Sequence, residues 1–468
     1  MPGWAQLKLL VELEINQRTE EGCDTSGFRE QWQDAGEDHD RLMKIYYQLS
    51  ELEVHPDFAY REPSELEEIR SLRPPGSREY KVEHSEAIWK DKFHGAWLGR
   101  LAGCALGKPL ETNDFTTGSL NNPGWRNVQR WFEGADAWPI RGYTPIHSRA
   151  EQTGIQIQHG SIKSTREHIS FMESDDDVRY TLLGLIMLEE KGLNWDSWDI
   201  GDLWHSRLTY KQVCTAETQA YLNYAHVTSH MDSWGKRPSY GKGAKEWVRT
   251  YLNPYREWIG AQIRADGFAY GAAGKPELAA ELAWRDASFS HVKNGIYGEM
   301  FVAAMIASAF VESDPERIVQ AGLSEIPTTS RLAEDVLKAV EIARSTNDQL
   351  EMVRLIWDSF NHYDWVHTNN NAALVAASLI FSQGDFEAGI TTAVLGGWDT
   401  DCNGATVGSI LGACLGAKRL PASWVDPLND TFYADLVGYD PIKVSEVSNR
   451  TYEVFRKIRH EFALMGSH

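Results

Sequence analysis

Three consecutive aspartates, Asp175-Asp176-Asp177, follow Ser174 and lead straight into an apolar stretch from Val178 to Leu188. Ser and Asp are favoured N-caps, and one acid at a helix start is welcomed by the helix dipole. Three in a row, entering a helix too apolar for the surface, need more than capping. Like charges repel, and burial strengthens the repulsion. A divalent cation resolves that conflict. A second cluster lies far along the chain: Gly396-Gly397-Trp398-Asp399-Thr400-Asp401-Cys402-Asn403, again ahead of a small-residue helix. Asp399 and Asp401 stand two residues apart, so in an extended turn both carboxylates face one side. Each cluster alone reads as capping. Together they offer a set of hard oxygen ligands from two loop–helix junctions, which suits Mg²⁺, Mn²⁺ or Ca²⁺ rather than zinc. Two such junctions can hold two ions that share carboxylates.

The elements that must position these groups are mostly helical. Apolar residues at helical spacing predict helices over 4–20 and around Leu42 to Leu52, then over 88–106, 178–188, 298–310, 331–343, 371–381 and 404–417. Gly408, Gly412 and Gly416 recur every four residues, which places them on one helix face and lets a neighbour approach closely. Runs of β-branched residues in period-two alternation are few, so the fold class is all-α with buried central helices. Residues 1–88 read as a small helical N-terminal extension and a proline-marked linker, with the main domain over 89–468. The extension carries no polar cluster of chemical character and reads as a structural appendage or oligomerisation arm. Two stretches, 112–172 and 230–275, are rich in Gly, Pro, Trp and Tyr and read as long irregular segments. Segments of this length are usually functional, and these are expected to wall a substrate cleft.

Composition narrows the function. The 468 residues carry 46 Lys and Arg against 67 Asp and Glu, a net charge of −21. That balance opposes phosphate-driven binding to nucleic acid and docking on anionic membranes. The longest nearly apolar run, about Met300 to Phe310, falls short of the ~20 residues of a membrane span. Glu12 and Glu14 interrupt what would be the apolar core of a signal peptide. Five scattered cysteines without CxxC spacing fit reduced thiols, and the expected location is the cytoplasm.

Three motifs in order resemble the ADP-ribosylglycohydrolase family. The first is Phe93-His94-Gly95-Ala96-Trp97-Leu98-Gly99, continuing through Gly103, Gly107, Pro109 and Glu111. The second is Ser174-Asp175-Asp176; the third is Asp399-Thr400-Asp401 followed by Asn403-Gly404-Ala405 and Gly408. The resemblance covers about residues 89–420 and implies a compact, orthogonal multi-helix bundle. It implies metal ligands at Ser174, Asp175, Asp176, Asp399 and Asp401, and catalytic roles for Glu111, Asp176 and Asp401. Where the family often has a hydroxyl after its final aspartate, this chain has Cys402, a poor ligand for Mg²⁺. Where relatives commonly have aspartate in the first motif, this chain has Cys104. The segment Gly260-Ala261-Gln262-Ile263-Arg264 resembles the family's central loop, whose backbone N–H groups can cradle a diphosphate. Arg285 to His291 resembles the segment that brings a histidine to the substrate pocket. Asn294 and Tyr297 follow, able to bond to or stack on a base or ribose. The expected substrate-binding set is therefore Gly260, Arg264, His291, Asn294 and Tyr297.

The resemblance implies a hydrolase: metal-assisted cleavage of a glycosidic bond to ribose, with Mg²⁺ as the first choice of ion. The substrate it implies is an ADP-ribosyl group, free or on a modified protein, or a related ribosylated molecule. Two alternatives stay open. One is a glycosidase of a small ribosylated metabolite. The other is a non-catalytic member that binds a nucleotide.

Overall fold

The computed structural model describes residues 1–465 apart from 77, 79, 81 and 230–241. Its helices follow one another from Leu7–Glu20 to Val444–Met465, with one two-stranded antiparallel sheet among the described residues, Thr431–Phe432 against Ile442–Lys443. The chain is all-α.

Two helices form the axis of the molecule, Glu86–Gly107 and Thr400–Leu415. They run antiparallel with backbones in contact. Gly95 faces Gly412, Gly99 faces Gly408, and Gly103 faces Gly404. A Cβ at any of these six positions would overlap the facing carbonyl oxygen. The glycine ladder thus uses 404, 408 and 412. Gly416, expected on the same face, instead ends its helix at φ +75° against Asp91. The register sets Gly107, and the turn after it, beside the head of the other helix, where Thr400 Oγ1 donates to Gly107 O at 2.9 Å. The first and third sequence motifs therefore meet.

Helices too apolar for the surface pack around this pair. Asn294 to Ala309 of the Lys293–Ala309 helix is buried at every position, and the Thr368–Ser382 helix is buried almost throughout. The C-terminal helix covers the outer side of the axis. Phe455 packs on Trp89 and Phe93 at ring distances of 4.6 and 5.3 Å, and Trp97 Nε1 donates to Thr451 Oγ1 at 2.9 Å.

The two stretches expected to be irregular hold more helix than their composition suggests. Within 112–172 lie Gly124–Gly134 and several shorter turns; within 242–275 lie Lys242–Thr250 and Ala265–Gly271. Trp234, Pro238 and Tyr240 fall outside the described residues. The Gly124–Gly134 helix starts after Pro123 and buries Val128, Trp131 and Phe132, so tertiary packing supplies what local propensity lacks.

The N-terminal region contributes helices at Leu7–Glu20, Phe28–Ala35, His39–Ser50 and Leu66–Leu72. Leu7, Val11, Ile15, Leu42, Ile45 and Leu49 form a small core of their own that Leu252 joins. Buried ion pairs fasten this core to the rest. Arg256 meets Glu14 at 2.7 Å and Glu21 at 3.0 Å, and Arg331 meets both Glu62 and Glu257 at 2.8 Å. The appendage is structurally continuous with the main bundle.

Candidate active site

Three chain segments converge at one end of the glycine-packed axis. The first is the turn after Gly107, Lys108–Leu110, which delivers Glu111. The 112–172 stretch clamps that turn: Gln158 N donates to Pro109 O at 2.8 Å and Thr112 Oγ1 to Gln156 O at 3.0 Å. The second is the head of the Asp176–Lys191 helix, with Asp175 as N-cap. The third is the head of the Thr400–Leu415 helix, with Asp399 at its N-cap. Two N-termini point their partial positive charge at one place, which favours gathered carboxylates. Trp398, just before, holds φ +55° and stacks on Trp357 at 5.1 Å. A bulky residue in the left-handed region is strained, and such strain clusters at working sites.

Ligand atoms of Cys104, Asp175, Asp177 and Asp401 all lie within 4.8 Å of one another, as do those of Asp399, Asp401 and Cys402. Asp401 belongs to both groups. Asp175 is the charged anchor. Burial would raise its carboxyl, but the charge and hydrogen bond of Lys108 hold it well below the usual range. The others are pushed the opposite way. Burial and the Asp175 charge raise Asp176 to about 6 and Asp401 to about 7. Burial, then Asp401, Asp175 and Asp176, raise Glu111 well above the ordinary value. Burial and Asp401 do the same to Asp399. Cys104 and Cys402 are buried beside these carboxylates, and both thiols are held neutral.

A concentration of carboxyls this large, with so few protons lost, is short of positive charge. Three oxygens locate the deficit, and Asp177 Oδ2, beside Arg100, is one of them. Asp399 Oδ1 and Asp401 Oδ1 are buried and have no hydrogen-bond partner. A native fold rarely leaves such atoms unsatisfied. Their hard oxygen chemistry fits a divalent cation. Ser174 stands at the edge, its Oγ accepting from Arg179 at 3.0 Å.

The sequence of this chain matches the family model for ADP-ribosylglycohydrolase over residues 85–457, well over half its length. The chain belongs to the ADP-ribosylglycohydrolase family. Membership makes it an enzyme, a hydrolase of the glycosidase class. A solved structure, an ADP-ribosylglycohydrolase-related protein complex, is 17% identical with a TM-score of 0.43, covering 80% of this chain and 99% of its own. No curated protein matches it significantly.

In this family member the expected substrate-binding residues fall into two buried networks. Arg264, 1% exposed, lies over the rings of Tyr180 and Trp204 and ion-pairs with Glu217 and Asp286, each at 2.5 Å. Gly260 leaves room for Glu217, whose carboxylate a Cβ there would meet. His291 is fully buried, with Nδ1 2.8 Å from Ser290 Oγ and Nε2 without a partner. Burial and then Arg264 push the imidazole well below its usual value, so it is neutral. This network adjoins the acidic cluster, because burial and Asp176 both raise Glu217, to about 7 against the pull of Arg264. Arg264 is thus a buried pillar and not a free cation awaiting a phosphate.

Asn294 and Tyr297 belong elsewhere. Asn294 Nδ2 donates to Glu62 and Glu257, each at 2.8 Å, and its Oδ1 accepts from Leu332 N at 3.0 Å. The Tyr297 hydroxyl donates to Pro63 O. Both were expected at a base or ribose; their polar atoms instead hold the N-terminal extension in place.

Several contributors escaped the sequence reading. Lys108 Nζ donates to Asp175 Oδ2 at 2.5 Å. Arg100, fully buried, donates to Asp177 Oδ1 at 2.9 Å and to Ile263 O at 2.7 Å, and ion-pairs with Asp266 at 2.8 Å. The third aspartate of the run is therefore an arginine partner, its carboxyl still raised well above the ordinary value by burial, against the pull of Arg100, and by the neighbouring aspartates. One signal was readable: a basic residue, Arg100, inside an otherwise apolar helix demands buried anions.

Proposed function

We propose that this glycohydrolase cleaves a glycosidic bond to ribose in an ADP-ribosyl or closely related ribosylated substrate, with a divalent cation, Mg²⁺ first and Mn²⁺ or Ca²⁺ next. The observation that carries the reading is the pair of buried, unpartnered oxygens on Asp399 and Asp401, set among carboxyls whose protons are held tightly. Asp399 and Asp401 would hold the ion, with Ser174, Asp175 and Asp176 at its edge. When bound, such an ion polarises ribose hydroxyls and orients a water.

The chain's own groups supply the proton chemistry. Glu111 keeps its proton well above the ordinary carboxylate range because it is buried and faces Asp401, Asp175 and Asp176. A carboxylic acid in that state protonates the leaving-group atom as the bond to the anomeric carbon breaks. Asp176, half-buried and at about 6, is poised to take a proton from the incoming water. The pair divides acid and base duties by environment.

The N-terminal extension favours a small ribosylated molecule as a second reading of the substrate. It touches Thr215–Thr228 at two points, with Leu10 packed on Ala216 and Tyr255 and Gly3 N donating to Gln219 at 2.8 Å. The head of that helix, Cys214, senses the charges of Asp176, Glu217 and Glu111. The extension thus contacts the helix whose head adjoins the acidic cluster, which supports a confined approach and a small substrate. The net charge of −21 supports a substrate other than nucleic acid, and five unpaired cysteines among the described residues support a cytoplasmic setting. No described helix is long and apolar enough to cross a membrane.

The test is Glu111→Gln. Turnover is expected to fall about 10²–10⁴-fold, the usual worth of general acid–base catalysis, with binding of ADP-ribose retained. Unchanged turnover would remove Glu111 from the chemistry.

A further inference from the structure

Lys108 leaves the glycine-packed helix three residues before Glu111, yet its side chain turns inward and is only 13% exposed. Its ammonium ends in the acidic cluster, 2.5 Å from Asp175 Oδ2. The other oxygen of Asp175, Oδ1, accepts from Asp177 N at 3.1 Å. Both oxygens of Asp175 are thereby engaged by donors. Asp177 Oδ1 faces Arg100 at 2.9 Å, while its Oδ2 is buried without a hydrogen-bond partner. The remaining member on this side is Cys104, a thiol where a hard oxygen would suit Mg²⁺.

The opposite side differs. Asp399 Oδ1 and Asp401 Oδ1 are buried, face the same cluster and have no partner. The cluster is therefore divided. One half is ion-paired with cations of the chain itself, Lys108 and Arg100; the other has open carboxylate oxygens and no ion pair among the described residues. A lysine ammonium is a compact point charge with three donors, able to stand in a cation position among carboxylates. A metal ion placed beside it would meet like charge at short range, in surroundings that screen poorly.

We propose that Lys108 is a resident cation that fills one of the cluster's two cation positions, so that the chain binds one divalent ion, on the Asp399–Asp401 side. The inference rests on the metal-assisted reading above and fixes its stoichiometry. It assigns Lys108 as a positioning residue, holding Asp175 without touching substrate. It also accounts for the thiol of Cys104: the half that contains it has no ion to hold.

The experiment is native mass spectrometry of the full chain titrated with Mn²⁺, counting ions bound per chain, on wild type, Lys108→Arg and Lys108→Met. Wild type and Lys108→Arg are expected to bind one ion. Lys108→Met frees Asp175 beside Cys104, Asp177 and Asp401, and is expected to bind two. Two ions on wild type would overturn the inference and leave the metal-assisted reading standing. One ion on Lys108→Met would also overturn it. No ion on any of the three proteins would overturn both. The wild-type count decides the matter even if Lys108→Met fails to fold.

Discussion

Asp176 and Asp401 hold protons at about 6 and about 7 in the fold, against 3.8 for a free aspartate. The folded state thus binds protons that the unfolded chain releases near pH 4. Stability of the ion-free protein must fall as pH rises from about 4 to about 7, because the folded chain then retains charges that repel one another. An ion reverses this by matching the charges, and it competes with the protons for the same oxygens. In thermal melts, ion-free protein is expected to unfold at a lower temperature at pH 8 than at pH 5, and Mg²⁺ or Mn²⁺ to raise the midpoint at pH 8 far more than at pH 5. Equal shifts at both values would separate the ion from these carboxyls. Asp401→Asn follows the same logic. It removes one repelling charge, on the order of 1–3 kcal/mol of strain at pH 8, so the ion-free variant is expected to be at least as stable as wild type. It also removes a ligand, so the metal-induced shift and metal-dependent turnover are expected to vanish. A destabilised Asp401→Asn would mark that carboxylate as structural. The acidic run was legible because acids leading into a buried helix conflict with burial. Lys108 was not. A lysine between Gly107 and Pro109 looks like any turn lysine, and its partner lies 67 residues away.

The glycine ladder joins the first and third motifs and thereby builds the site. Gly103 has the least room: a Cβ there would run into the Gly404 carbonyl, which belongs to a packed backbone and cannot swing aside. Gly103→Ala is expected to cost about 3 kcal/mol or more, at the upper end for overpacking, and to weaken ion binding by separating Glu111 from Asp401. Gly142→Ala, with nothing within 4 Å, is the control and should stay within about 0.5 kcal/mol in chemical denaturation. Four-residue glycine spacing was readable in the sequence, and it announced a close helix partner. The partner itself was readable only in hindsight, since Gly95, Gly99 and Gly103 carry the same spacing far upstream. Helices with strong apolar content, such as Asp176–Lys191 and Thr368–Ser382, followed the expected spans closely. Those inside Gly- and Pro-rich segments did not, because the packing that stabilises them comes from distant residues.

Across the whole molecule, burial of charge ties the parts together. Arg256 is 3% exposed and has Glu14 and Glu21 as its carboxylate partners, one in the first helix of the extension and one capping its C-terminus. Removing both partners leaves a buried guanidinium uncompensated, a loss of about 3–5 kcal/mol. Glu14→Ala with Glu21→Ala is therefore expected to destabilise the entire chain in a single transition. A separate early transition, with the remainder melting as wild type, would show the extension to be independent. These pairings span more than two hundred residues, which is why residues 1–88 read as an appendage in sequence. The claim on which the rest depends is that the acidic centre is a metal-assisted glycohydrolase site. Mass spectrometry of products tests it most directly, using ADP-ribosyl-arginine and ADP-ribosyl-serine peptides and small ribosides, each with Mg²⁺ and with a chelator. Release of a ribose-containing product that needs the ion and is lost in Glu111→Gln is the predicted result. Release that persists in the chelator, or in Glu111→Gln at the wild-type rate, would contradict it.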